Sequence, residues 1–270
     1  MSKRTRLLVG LVLSLCVLLG SAALLRTGVY GWTVFIVLPL WAGALASLTF
    51  CPTSSARAIG IGALTGAVGC CLFLLVNIEG MMCLAMSLPV IVPLSALGSL
   101  LAYQASGFGD RRPGIAMVLL LPASFWFDAT ARPPVFAVRT SIVVNAPPER
   151  VWKNVVSFSD IPDPEDWFFR TGLAYPKRAR IEGSGAGAVR YCEFSTGSFV
   201  EPIVVWDEPH LLQFRVSANA PSMEETGLYG RIYPKHLTGY FISKRVQFQL
   251  TALPHGRTLL EGTTWYQHGL

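Results

Sequence analysis

The stretch Asn145-Ala-Pro-Pro-Glu-Arg-Val-Trp-Lys-Asn-Val-Val-Ser-Phe158 decides how the chain is divided. Pro147 and Pro148 suit the first turn of a helix, where proline's missing N–H has no intrahelical partner to lose. Glu149 stands where the helix dipole favours an anion. Val151, Trp152, Val155 and Val156 then form one apolar stripe at helical spacing. Just upstream, Val138, Thr140, Ile142 and Val144 alternate with Arg139, Ser141 and Val143, the period of a half-buried strand. A strand running into an amphipathic helix opens an independent fold, and Ala131-Arg132-Pro133-Pro134 marks its boundary by breaking any preceding helix.

What precedes that boundary has a different composition. Apolar residues make up 52% of the whole chain, charged residues 14%, and the mean hydropathy is +0.47, values that point to a membrane protein. Residues 1–131 hold seven Lys/Arg and three acids (Glu79, Asp110, Asp128), whereas residues 132–270 hold fifteen and thirteen. Neither part carries a dense basic stripe, so nucleic acid is not an expected partner. Cys16, Cys51, Cys70, Cys71 and Cys83 lie in the hydrophobic part, where cysteine behaves as a small apolar residue; only Cys192 lies beyond it.

A bilayer core takes roughly 20 apolar residues per helix. Leu7–Leu25, Val29–Phe50, Ala58–Val76 and Met81–Ala102 reach that length, and Ile115–Phe127, thirteen residues with Pro122 inside, is a fifth, shorter candidate. The reading is a multi-pass anchor of four to five transmembrane helices over residues 1–131. The positive-inside rule puts Lys3, Arg4, Arg6, Arg57, Arg111 and Arg112 in the cytoplasm and the Asn77-Ile78-Glu79-Gly80 turn outside. If the fifth segment crosses, with Phe125-Trp126-Phe127 as its interfacial aromatics, everything after it is extracytoplasmic, and that is the favoured side. No ionisable residue stands deep inside a span, so no proton or ion path is indicated. Gly60, Gly62, Gly66 and Gly69 would allow close helix packing.

The remainder, residues 135–270, reads as an α+β domain. Arg178–Glu182 and Ala188–Phe194 flank the glycine-rich turn at 183–187. Phe199–Asp207 and Leu211–Ala218 flank Glu208-Pro209-His210, and Tyr240–Ala252 and Arg257–Gln267 flank Leu253-Pro254-His255-Gly256; both are hairpin signals. Asn219–Thr238 reads as a long loop, expected to act as a lid.

In this order the strand, "NAPPERVW", a short helical region around Pro164–Arg170, the glycine-rich turn, "VVWDEPHLLQFRV" and "LTALPHGRTLLEGTTWY" resemble the START-like helix-grip superfamily (SRPBCC, polyketide cyclase/dehydrase-like), over about residues 136–270. The resemblance implies a curved antiparallel sheet gripping a long C-terminal helix around an apolar cavity. The chain stops at Gln267-His268-Gly269-Leu270, at the end of the last strand, so the expectation is a product without the closing helix. Such a fold hosts many functions.

Site chemistry is sparse. No metal-ligand spacing and no phosphate loop is present, so no metal and no cofactor is expected, and no catalytic residue is assigned. His210, His255 and His268 fall in turns or at the terminus, and His236 in the long loop. Tyr191, Glu193, Trp206, Phe214, Tyr240 and Trp265 are the candidate ligand-binding residues: aromatics that could line a pocket and a carboxylate that an apolar cavity would hold protonated. Tyr191 shares a strand face with Glu193, and Trp265 with Glu261. The resulting expectation is a membrane-anchored domain that binds a hydrophobic or lipid-derived small molecule beside the bilayer. The alternatives are a cyclase/dehydrase-type enzyme assisted by Glu193 or Tyr191, and an assembly factor whose sheet receives a protein partner.

Overall fold

The computed structural model describes residues 8, 12, 15, 17, 19–26, 31–107, 112–234, 237, 239 and 241–268, with the backbone alone at 107 and 112–119. Of the expected span Leu7–Leu25, residues 8, 12, 15, 17 and 19–25 are described and helical and the rest lie outside the described residues, as do Tyr240 and His236. The chain forms two compact units: the described residues up to Arg132 together with 225–234, and residues 133–224 together with 237–268.

In the helical unit a π turn at Thr33–Val37 leads into α1 (Leu38–Phe50), followed by α2 (Ser55–Leu75), α3 (Met81–Gly107) and α4 (Arg112–Thr130). Among the described residues three helices, Thr33–Phe50, Ser55–Leu75 and Met81–Ser106, are long and apolar enough to cross a membrane. The expected fifth segment is a 19-residue helix with Pro122 inside it, longer than its apolar run because Arg112 and Asp128 join the helix ends.

Small residues set the helix spacing. A Cβ on Gly43 would stand 1.8 Å from the Ser95 carbonyl oxygen, and one on Gly62 2.4 Å from that same oxygen. A Cβ on Gly98 would meet the Leu40 carbonyl oxygen at 2.0 Å. Backbones this close suit association in lipid, where packing and interhelical hydrogen bonds replace the hydrophobic effect. Ser99 adds such a bond, its hydroxyl donating to the Ala58 carbonyl at 2.7 Å. Of the four α2 glycines noted in the sequence, Gly62 and Gly66 face Ser95, whereas Gly60 and Gly69 meet nothing within 4 Å.

Two carboxylates cap helix starts in this unit. Asp128 accepts the backbone N–H groups of Trp32 at 3.1 Å and Thr33 at 2.8 Å. Glu225 accepts those of Met82 at 3.2 Å and Cys83 at 2.8 Å. Both satisfy N–H groups that a helix leaves without intrahelical partners, at the end where the dipole favours a negative charge. Glu225 opens a small hairpin, β6 (Glu225–Gly227) with β7 (Gly230–Ile232), inside the segment expected to be a long loop. The hairpin groups with the helices.

The second unit is a seven-stranded antiparallel sheet carrying a helix. Its strands are β1 (Val135–Val144), β2 (Pro176–Glu182), β3 (Val189–Phe194), β4 (Gly197–Asp207), β5 (Leu211–Arg215), β8 (Phe241–Leu253) and β9 (Arg257–His268). They lie in the order β1-β9-β8-β5-β4-β3-β2, and every neighbouring pair is antiparallel. The quoted stretch forms α5 (Pro148–Val156), a Ser157–Phe158 exit, and no more. The helical region expected near Pro164–Arg170 is a single 3-10 turn, Trp167–Thr171. Val151, Trp152, Val155 and Val156 are buried against Ile203, Leu212, Phe214 and Leu250. Trp152 meets Trp206 edge to face at 5.5 Å, a favoured aromatic geometry.

Candidate functional site

Register assigns the side chains of the sheet to two faces, because alternate residues of a strand point to opposite sides. Ile203 pairs with Phe214, Phe214 with Val246, Leu250 with Leu260, Leu260 with Ile142, and Thr258 with Val144, so all of these share the face that carries α5. Arg178, Arg180, Tyr191, Glu193, Arg245, Glu261 and Trp265 belong to the other face.

A groove of about 280 Å³ runs between α5 and the β1/β9 edge of the sheet, lined by Val144, Ala146, Arg150, Val151, Asn154, Val155 and Leu260. Helical spacing explains the contribution of α5: Arg150 and Asn154 form one i,i+4 row, and Val151 and Val155 form the next. The Thr258 hydroxyl, fully buried, donates to the Ala146 carbonyl at 2.7 Å and fixes the β1–α5 connection to β9. Asn154 donates from its side-chain amide to the Arg150 carbonyl at 3.1 Å. The result is an apolar groove with Arg150 and Asn154 as its polar lining residues. Beyond it, on the same face, Phe136, Val138 and Ile142 are 40%, 46% and 59% exposed, so the apolar surface continues along β1.

Under the last turn of α5 the same face holds a buried ion pair. Arg190 on β3 pairs through Nη1 with Glu201 on β4 and donates from Nε to the Val156 carbonyl at 3.0 Å. Its guanidinium stands 5.3 Å from the Phe214 ring centroid. Burial pushes the Glu201 carboxyl above the ordinary glutamate value, with Arg190 opposing. Arg190 is absent from the residues singled out in the sequence. A turn at Ser195-Thr196 would have revealed it, since that turn sets Arg190 opposite Glu201.

The structure does not bring together the five described residues of the six expected at the site. Phe214 and Trp206 belong to the helix-bearing face, Phe214 in the core at 1% exposure and Trp206 against Trp152. Tyr191 and Glu193 share the opposite face, as alternation requires. There Arg180 lies over the Tyr191 ring at 4.0 Å, and Glu193 accepts from Arg178 Nε at 2.7 Å and Arg180 Nε at 3.2 Å. The hydrogen bond from Arg178 leads in holding the Glu193 carboxyl below its ordinary value. Trp265 lies on that face too, under the Arg245 guanidinium at 3.8 Å. These three are separated from the groove by the thickness of the sheet.

Among solved structures, the chain is similar to a protein from Nitrosospira multiformis, with 20% identity, 50% of this chain and 81% of that one covered, and a TM-score of 0.32. It is also similar to truncated norcoclaurine synthase from Thalictrum flavum, with 11% identity, 52% and 79% covered, and a TM-score of 0.30. The Zhui aromatase/cyclase from a Streptomyces species shares 13% identity, with 50% and 69% covered and a TM-score of 0.31. A search of curated proteins finds no match. The segment that opens with β1 and α5 matches a family model over residues 135–238, and that family is described as polyketide cyclase / dehydrase and lipid transport.

Proposed function

We propose that the protein is a membrane-held binder of a hydrophobic or lipid-derived small molecule, taken up without covalent chemistry in the groove between α5 and β1/β9. The observation that carries this reading is the groove itself, five of whose seven lining residues are apolar. Its volume, about 280 Å³, falls just below the range of ligand pockets, roughly 300–1,000 Å³. The family description, which names lipid transport, supports the ligand class. The cyclase/dehydrase alternative relied on Tyr191 and Glu193, and both stand on the opposite face, engaged by arginines. Native mass spectrometry of the purified full-length protein tests the reading. An apolar molecule of a few hundred daltons, released on unfolding, is expected; a protein that carries none and takes up no added apolar probe would overturn it.

We further propose that α4 crosses the membrane and that residues 133–268 are extracytoplasmic. Support comes from the two carboxylate caps, whose partners all belong to the helical unit. Three crossings, by Thr33–Phe50, Ser55–Leu75 and Met81–Ser106, carry the chain away from the side on which residue 33 lies. Asp128, near the end of α4, is back at residue 33. Glu225 caps α3 at its start, the same side again. Arg57, and Arg112 at the start of α4, fall on the other side, which the positive-inside rule makes cytoplasmic. Alkaline phosphatase fused after Ala218 in bacteria should be active. A silent phosphatase, with an active cytoplasmic reporter at the same point, would reverse the assignment.

A further inference from the structure

We propose that the ligand of the groove is an anionic amphiphile, whose carboxylate or phosphate head is held by Arg150 while its apolar body lies on Val144, Val151, Val155 and Leu260. This rests on the groove being the ligand site. No carboxylate lines the groove, and Arg150 is its one charged residue. The arginines of β1, β2 and β3 are all engaged: Arg139 with Glu261, Arg178 and Arg180 with Glu193, and Arg190 with Glu201. Among the described residues the Arg150 guanidinium has no such ion-pair partner. Arg150 is thus the groove's own positive group, and no described carboxylate pairs with it.

Chemistry narrows the head group. A guanidinium presents a planar fork of donors that matches a carboxylate or phosphate in two parallel hydrogen bonds. A neutral head gains at most a single hydrogen bond without the charge pairing, and a cationic head is repelled. The rest of the lining offers apolar contact, and the exposed strip of Ile142, Val138 and Phe136 extends that contact along the face. A ligand with one anionic end and one long apolar end fits both parts at once. Arg150 stands on the exposed side of α5, outside the buried Val151, Trp152, Val155 and Val156, so replacing it leaves the core intact.

The test uses the full-length protein in zwitterionic nanodiscs, with empty nanodiscs as the blank, and three ten-carbon probes: decanoate, decyl phosphate and 1-decanol. A charge-assisted hydrogen bond contributes about 1.5–3 kcal/mol net, so isothermal titration should show at least one of the two anions binding about tenfold or more tightly than decanol. Arg150→Gln should abolish that preference, and Arg150→Lys should restore part of it. The stronger of the two anions identifies the head as carboxylate or phosphate. Equal affinity for all three probes, or a preference that survives Arg150→Gln, overturns the anionic assignment while the groove remains a binding site. Binding of none of the three, decanol included, overturns the groove itself.

Discussion

Arg190 Nε donates to the Val156 carbonyl at 3.0 Å, tying β3, next to the β2 edge of the sheet, to the last turn of the helix while the same guanidinium pairs with Glu201. Both partners are buried, Arg190 at 4% and Glu201 at 6% exposure. Removing one partner of such a pair strands a charge in an apolar surrounding, which costs about 3–5 kcal/mol. Arg190→Met should therefore lower the thermal transition of the sheet unit far more than the double change Arg190→Met with Glu201→Leu, which removes both charges. Similar losses in the two proteins would show that the pair contributes no more than packing.

Two glutamates of neighbouring strands should titrate on opposite sides of the ordinary value. The Arg178 hydrogen bond lowers Glu193, whose contribution to stability is present above the unfolded value and is lost as pH falls through the folded one. Burial raises Glu201, so its contribution favours folding below the unfolded value and is lost as pH rises through the folded one. Side-chain carboxyl NMR on the labelled protein should find Glu193 titrating first from the acid side and Glu201 well after it. The reverse order would contradict the assignment of their faces.

Glycines of α2 separate into contact and non-contact positions. Gly62→Leu forces a side chain against the Ser95 carbonyl and Ser99 and should cost about 1–3 kcal/mol, the usual range for overpacking. Gly69→Leu meets nothing and should stay within about 0.5 kcal/mol of the parent. Thermal scans of the detergent-solubilised variants check the difference, and equal destabilisation would place Gly69 in a contact of its own.

Much of the sheet was legible because strand patterns and hairpin turns are local. Arg257–Gln267 was expected and Arg257–His268 is found, and Tyr240–Ala252 became Phe241–Leu253. The helix after Pro147 followed from capping chemistry and one apolar stripe, both visible in nine residues. Sites were less legible, because a strand's alternation shows which residues share a face but not which face is covered. Trp265 and Tyr266 are equally aromatic, and only the pairing of β9 with β1 and β8 puts Trp265 beside Arg245, away from the helix. The segment expected to be a lid holds a hairpin whose first residue bonds to Met82 and Cys83, a partnership that no local pattern could announce.

Adjacent residues of β1 test most directly whether the helix-bearing face is the binding face. Val144 lines the groove, and Val143, 53% exposed, points to the other side of the sheet. Uptake of a fluorescent apolar probe by the full-length protein is measured for Val144→Asp and Val143→Asp, with circular dichroism confirming that each keeps the fold; Ile142→Asp, on the groove face and 59% exposed, serves as a third variant that leaves the core untouched. Uptake should fall at least tenfold in Val144→Asp, fall measurably in Ile142→Asp, and stay at the parent level in Val143→Asp. Unchanged uptake in both folded groove-face variants, or an equal loss in Val143→Asp, would contradict a ligand site between α5 and β1/β9.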